Sequence, residues 1–316
     1  MMSFSQEIKE ELTGVRLRRE SDANMLIAGY TLAAASLKYS REHGQWGLHY
    51  VSESTTAINF IAKLACKSYE LEQETVLNVH QRLNARNTEL LLYGRGVDSL
   101  CLDSGFMSYD ENGDKSFATV LPKGLESEHL CRAFIRGVFL ACGTVSDPAT
   151  GCRAELVLRS EFLAREIQRL LSERDIPPKL TNRKHMWIVY FKNGDMVEDF
   201  LTFMGAGEAM LKVREYRMIR EVKNNSNREV NCFSANMEKT ARASAVQSEN
   251  IRLVMTELGA DALSEELYEV ASARMEEPEL TLSQLAQKLG IGKSAVNYRL
   301  KRIAAIADDI RNGRGL

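Results

Sequence analysis

The amino-acid sequence predicts an α+β protein in which two pseudo-symmetric halves, each of order αβαββα, are followed by an all-α domain. Three observations predict it. A run of helix, extended segment and helix recurs with an offset of 108 residues inside the first two hundred; the chain from Asp261 onward has only helical periodicity; and 316 residues amount to about two domains. The expected organisation is a duplicated domain over 1–205, with halves at about 20–105 and 125–205, then a basic helical linker over 206–255 and a helical domain over 256–316.

The opening MMSFSQEIKEEL is polar and amphipathic, unlike a basic leader ahead of an apolar stretch, and no apolar run reaches the ~18 residues of a membrane span. A cytoplasmic protein with no membrane association is expected. MLIAGYTLAAASLKY (25–39) and AFIRGVFLACGTVSD (133–147) then read as helices that place Gly and Ala four apart, Gly29 with Ala33 and Gly137 with Ala141. Small residues on one helical face let two backbones approach, so the two helices are expected to pack together on a pseudo-twofold axis. After them, WGLHYVSE (46–53) and RAELVLRS (153–160) partly alternate as half-buried strands do. TAINFIAKLACKSYE (56–70) and EFLAREIQRLLSERD (161–175) space apolar residues by three and four, ELLLYG (89–94) answers MWIVYFK (186–192) as a strand, and a short helix closes each half.

Composition narrows the chemistry. Apolar residues make up 44% and charged residues 27%, as in a soluble globular protein. The six cysteines form no C-x-x-C and the five histidines are scattered, so neither zinc, disulfide nor any cofactor is expected. The net charge of −2 hides two basic windows: eight Lys or Arg against four Glu over 212–242, and five against none over 288–302. The first lies in LKVREYRMIREVKNNSNREVNCFSANMEKTARASAVQSENIRLVM (211–255), which reads as a basic helix, a flexible polar turn at NNSNRE and a second long helix.

The last sixty residues carry the most specific pattern. ALSEELYEVASARM (262–275) has one apolar face and stops before Pro278; Thr281 and Gln284 form a capping box; Gly290 suits a left-handed helix end; and Gly292 opens a final helix. Leu285, Ala286, Leu289, Ile291, Val296 and Leu300 are spaced to pack two short helices steeply around a tight turn, and LAQKLGIGKSAVNYRLKRI resembles a helix-turn-helix. On its second helix Lys293, Ser294 and Asn297 are placed for base edges, and Tyr298, Arg299, Lys301 and Arg302 for phosphates. Arg214, Arg217, Arg220 and Lys223 in the linker are candidates for supporting contacts.

IRGVFLACGTV (135–145) resembles the motif of the LAGLIDADG homing endonucleases, and IAGYTLAAASL (27–37) looks like a weaker first copy. The resemblance implies motif helices paired at the centre, strands of both halves forming a saddle over DNA, and an acid at each helix end that helps bind catalytic metal. Here those positions fall on Ala34 and Cys142. Alanine offers no ligand and a thiol is too soft for Mg²⁺, so the packing part of the motif is kept and its chemistry is lost. Asp147, just before Pro148, reads as a turn residue rather than a displaced ligand.

Together with MSFSQEIKEEL and NREVNCFSANMEKTARASAVQ, these features resemble the WhiA family over nearly the whole chain. The resemblance implies a sequence-specific DNA-binding transcription regulator linked to sporulation or cell division, nucleoid-associated, acting on double-stranded DNA and without nuclease activity. Two motif copies in one chain make a monomer sufficient. A protein co-regulator stays open, as do two other readings: a metal-dependent endonuclease using other carboxylates, and an interaction scaffold whose saddle binds a protein or small ligand.

Overall fold

The computed structural model describes residues 2–80, 85–110, 112–117, 119–259 and 262–313, with backbone alone at 79, 80, 85 and 86. The chain falls into two compact units, Met1–Arg220 and Glu221–Leu316.

The first unit opens with α1 (Phe4–Gly14), started by a capping box in which Gln6 N donates to Ser3 Oγ (3.3 Å) and Ser3 N to Gln6 Oε1 (3.0 Å). Two similar halves follow. The first comprises α2 (Glu20–Ala34), β1 (Ser36–Ser40), β2 (Gln45–Ser52), α3 (Thr55–Tyr69), β3 (Glu72–His80), β4 (Ala85–Tyr93) and α4 (Val97–Ser104). A short hairpin, β5 (Ser108–Tyr109) and β6 (Lys115–Ser116), leads to the second: α5 (Glu128–Cys142), β7 (Gly143–Val145), β8 (Ala154–Leu158), α6 (Glu161–Ser172), β9 (Lys179–Arg183), β10 (Met186–Phe191) and α7 (Gly194–Met204). The two antiparallel sheets have the same order, β1-β2-β4-β3 and β7-β8-β10-β9.

Each half is therefore αββαββα, one strand richer than the sequence pattern suggests. The motif helices stop at Ala34 and Cys142, and the residues expected to continue them are strands instead. Ala35 N still donates to Thr31 O (2.9 Å), after which Ser36 pairs at once with His49 across β1 and β2. With no turn residue between helix and strand, and only three residues in β7, neither strand leaves an alternation that a sequence window can separate from the helix.

α2 and α5 pack against each other, and their glycines explain how closely. A Cβ on Gly29 would run into the Phe134 carbonyl oxygen, and one on Gly137 into that of Leu26. Both obstacles are backbone, so no rotamer change would relieve them. Around this contact lie Tyr30, Tyr50, Phe134, Phe139 and Phe200, all fully buried, with the hydroxyls of Thr31 and Tyr50 sharing a hydrogen bond (3.1 Å). Ser54 and Ser160 cap α3 and α6 in corresponding places.

α8 runs unbroken from Gly207 to Leu258, so the polar turn expected at NNSNRE is absent. The segment lacks Gly and Pro, and Asn or Ser in a helix costs only a few tenths of a kcal/mol each, less than breaking a propagating hydrogen-bond ladder. Its first turn is held by Glu11 of α1, whose carboxylate accepts from Glu208 N (2.7 Å) and Ala209 N (3.0 Å).

In the second unit the end of α8, α9 (Glu265–Glu276), α10 (Leu282–Lys288) and α11 (Lys293–Arg311) enclose a core of Ile251, Val254, Val270, Leu285, Val296, Leu300 and Ile303. The Thr281–Gln284 capping box and the left-handed Gly290 (φ +66°) form as the sequence predicts. Arg274, almost wholly buried, ties the end of α9 to the next loop by donating to Leu280 O (2.6 Å).

Candidate nucleic-acid interface

α10 and α11 are joined by a four-residue turn, with Ile291 N closing back on Ala286 O (3.1 Å). The turn buries Leu285, Ala286, Val296 and Leu300, which aims the other side of α11 outward. Lys293, Ser294, Tyr298, Lys301 and Arg302 are exposed on it, Asn297 is half-buried beside them, and no acid occurs from Lys293 to Arg302. Tyr298 leaves 64% of its surface in solvent, on the same face as these polar and basic side chains. Arg299 departs from the expected set. It is turned toward α9, where Glu266 (3.1 Å) and Glu269 (3.6 Å) pair with it, and only 16% of its side chain is exposed. Its periodicity position, one residue past Tyr298, points it back toward the bundle.

The linker arginines also have partners within the protein. Arg214 Nε donates to Glu198 Oε2 (2.9 Å), Arg217 pairs with both Glu198 and Asp195, and Arg220 donates to the carbonyls of Pro148 and Ala149 (both 3.1 Å). Glu198 is buried on α7, and a buried carboxylate requires paired cations, so α8 is stapled to the second half by groups the sequence presents as a free basic stripe. Lys223 is exposed. Charge counting along a helix cannot distinguish these roles, because the partners lie 16 to 72 residues away in sequence.

The two sheets use one face for the core and leave the other open, and the open faces differ in charge. In the first sheet Leu48, Tyr50, Leu90 and Leu92 face the core, so the register puts Lys38, Glu72, Glu74, His49 and Glu89 on the open side: three glutamates against one lysine among the described side chains. In the second, Ala154, Leu156, Val189 and Phe191 face the core, leaving Glu155, Lys179, Arg183 and Tyr190 open. Arg153 and Lys192 lie over the Tyr190 ring at 5.1 and 5.5 Å, and Arg153 also pairs with Glu155, which leaves Lys179, Arg183 and Lys192 as unpaired cations among the described residues of this face. This surface was not singled out from sequence; its signal is the alternation of Lys179, Thr181 and Arg183, legible only once the inward residues are known.

Ala34 and Cys142 are the last residues of α2 and α5, where the motif places its acids. Lys9 of α1 approaches Cys142 and Glu53: burial pushes its ammonium down, and those two groups pull it back up. Burial pushes the Cys142 thiol up to about 12 against the pull of Lys9, and Sγ donates to Val138 O (3.4 Å). A protonated thiol beside a lysine is a poor seat for a divalent cation. Asp147 makes a turn, its Oδ1 accepting from Ala149 N (2.8 Å) and its carbonyl from Thr150 and Gly151.

Among the described residues Glu42, His43 and Glu74 gather three ligand-type atoms within 4.8 Å of one another. His43 is already engaged, by Glu74 (3.2 Å) and by stacking on Tyr93 (3.9 Å). At about 3.3 Å per strand residue, β1 carries this hairpin roughly 20 Å from Ala34, so it is no displaced version of the motif site.

The geometry defines a class: a LAGLIDADG-like domain of two fused halves joined to a helix-turn-helix domain. Two family models match the chain in that order, the WhiA LAGLIDADG-like domain over residues 131–223 and the WhiA C-terminal HTH domain over 226–307. It is similar to proteins named "Probable cell division protein WhiA" from Lactobacillus delbrueckii subsp. bulgaricus, at 33% identity over 98% of this chain and 100% of that one, and from Carboxydothermus hydrogenoformans, at 31% over 99% of both. The fold is shared with the crystal structure of full-length WhiA from Thermatoga maritima, with a TM-score of 0.60 at 23% identity over 97% of this chain and 98% of that one. The chain belongs to the WhiA family. No helix among the described residues is long and apolar enough to cross a membrane.

Proposed function

We propose that this protein is a non-enzymatic, sequence-specific DNA-binding transcription regulator, acting in cell division, as the names of its relatives suggest, or in sporulation, as the family resemblance implies. The observation that carries the reading is the outward face of α11. It has an exposed cation at its start, two more one helical turn beyond Tyr298's level, polar side chains between them and no acid, on a helix whose other side is fixed by the tight turn before it. Lys293, Ser294 and Asn297 serve as base readers in the major groove, and Tyr298, Lys301 and Arg302 contact phosphates. Lys179, Arg183 and Lys192 on the second sheet add phosphate contacts, and the protein acts as a nucleoid-associated monomer.

Fluorescence anisotropy of the full chain on duplex DNA tests this. Affinity should fall with salt at about 0.9 of a log unit per log unit for each phosphate contacted, and Lys301→Ala with Arg302→Ala should lower that slope by about two. Absence of binding at low salt sinks the reading. The nuclease alternative is checked by incubating supercoiled plasmid with Mg²⁺ or Mn²⁺: intact plasmid is expected, and chelator-sensitive cleavage reassigns the protein.

A further inference from the structure

We propose that the first half contains a binding site for a small aromatic anion, in the cavity where the core-side face of the first sheet meets α4 and the β5–β6 hairpin. The cavity holds about 610 Å³, within the range of small-molecule sites. Its floor is Val97, Cys101 and Met107, all buried, and its walls are Trp46 and Phe117, which leave 60% and 59% of their surface exposed. Single exposed aromatics are ordinary, but two bracketing one concavity with an apolar floor present unfilled ring-shaped contact surface. Tyr39 braces the indole edge-on (5.5 Å between ring centroids), so Trp46 is held in place by a neighbour on the same face.

The polar lining chooses the sign of the ligand. Lys115 Nζ donates to Asp98 Oδ2 (2.6 Å), and these two charges offset each other. Arg95 remains on the rim, exposed, with no ion-pair partner among the described residues. A planar guanidinium beside an aromatic slot fits a one- or two-ring ligand bearing a carboxylate, sulfonate or phosphate. The site belongs to the first half alone, because the hairpin that supplies Met107, Lys115 and Phe117 follows α4, whereas α7 passes directly into α8. It is separate from the open sheet faces and from the ends of the motif helices.

The test uses the full chain labelled with 5-fluorotryptophan. Only two tryptophans are present, so ¹⁹F resonances report Trp46 and Trp187 separately. Titration with naphthalene-2-sulfonate should shift the Trp46 resonance to a one-to-one end point and leave that of Trp187 in place. By calorimetry the cationic 2-naphthylmethylamine should bind at least about tenfold more weakly, and Arg95→Gln should reduce the anion's affinity about tenfold. Phe117→Ala should abolish the shift. Both replaced side chains are exposed, and an unchanged Trp187 resonance verifies that each variant is folded. Equal affinity for anion and cation, a shift at Trp187, indifference to both substitutions, or no binding at millimolar probe would each overturn the proposal.

Discussion

The two halves of the first unit share a backbone plan and differ in almost everything they show to solvent. Both place a glycine where α2 and α5 cross, both cap the helix after the second strand with serine, and both order their sheets alike. Yet, among the described residues, the first sheet's open face carries glutamates and the second's carries cations, α8 is stapled to the second half, and the hairpin cavity lies in the first. Backbone-on-backbone packing cannot drift without unfolding the domain, whereas exposed charges cost little to exchange. Duplication therefore preserves symmetry where the interior demands it and lets function diverge on the surface.

The largest effect should come from the shared feature. Gly29→Leu and Gly137→Leu each put a side chain into the opposite helix's carbonyl and should cost more than about 3 kcal/mol, read as loss of cooperative unfolding of the first unit. Gly207→Ala, with open space around it, should be neutral within about 0.5 kcal/mol. A tolerated Gly29 variant beside an intolerant Gly137 would break the symmetry argument.

The next concerns the divergence. Lys179→Ala with Arg183→Ala should weaken DNA binding about tenfold near physiological salt and flatten the salt dependence by about two, while Glu74→Gln with Glu89→Gln should leave it unchanged or tighter. Equal responses from both sheets would remove the distinction. Arg217→Met should destabilise the protein by about 2 kcal/mol in denaturant titration, since buried Glu198 loses one of two cations, and should not alter the DNA salt slope.

The last test separates Cys142 from its counterpart Ala34. Burial raises the folded thiol to about 12 from an ordinary 9.0, so its contribution is intact below pH 9 and is lost as pH climbs toward 12, at no more than about 1.4 kcal/mol per pH unit. Lys9, pushed down by burial, works with the opposite sign, since the unfolded chain holds that proton longer. Relative to the native protein, Cys142→Ala should therefore hold its stability better between pH 9 and 11 in denaturant titrations.

Residues whose role is set by their near neighbours were legible in advance. The Gly-x-x-x-Ala helices, the Thr281–Gln284 cap, the Gly290 helix end, the turn at Asp147 and the exposed basic face of α11 all depend on spacing within about one or two helical turns. The partners of Arg299 and of the arginines at 214, 217 and 220 were not legible, because they are carboxylates and carbonyls supplied by other elements. The strand after each motif helix was hidden because it starts without a turn.

The sequence by itself determined that two alike halves pair through glycine-bearing helices, that a capped helix-turn-helix follows, and that no acid stands at the ends of the motif helices, for these are matters of residue identity and local period. Only the tertiary structure decided which cations stay exposed and which are paired with buried carboxylates, which sheet face is basic, and where an apolar cavity remains, because charge pairing and enclosure depend on distances between segments that are remote along the chain.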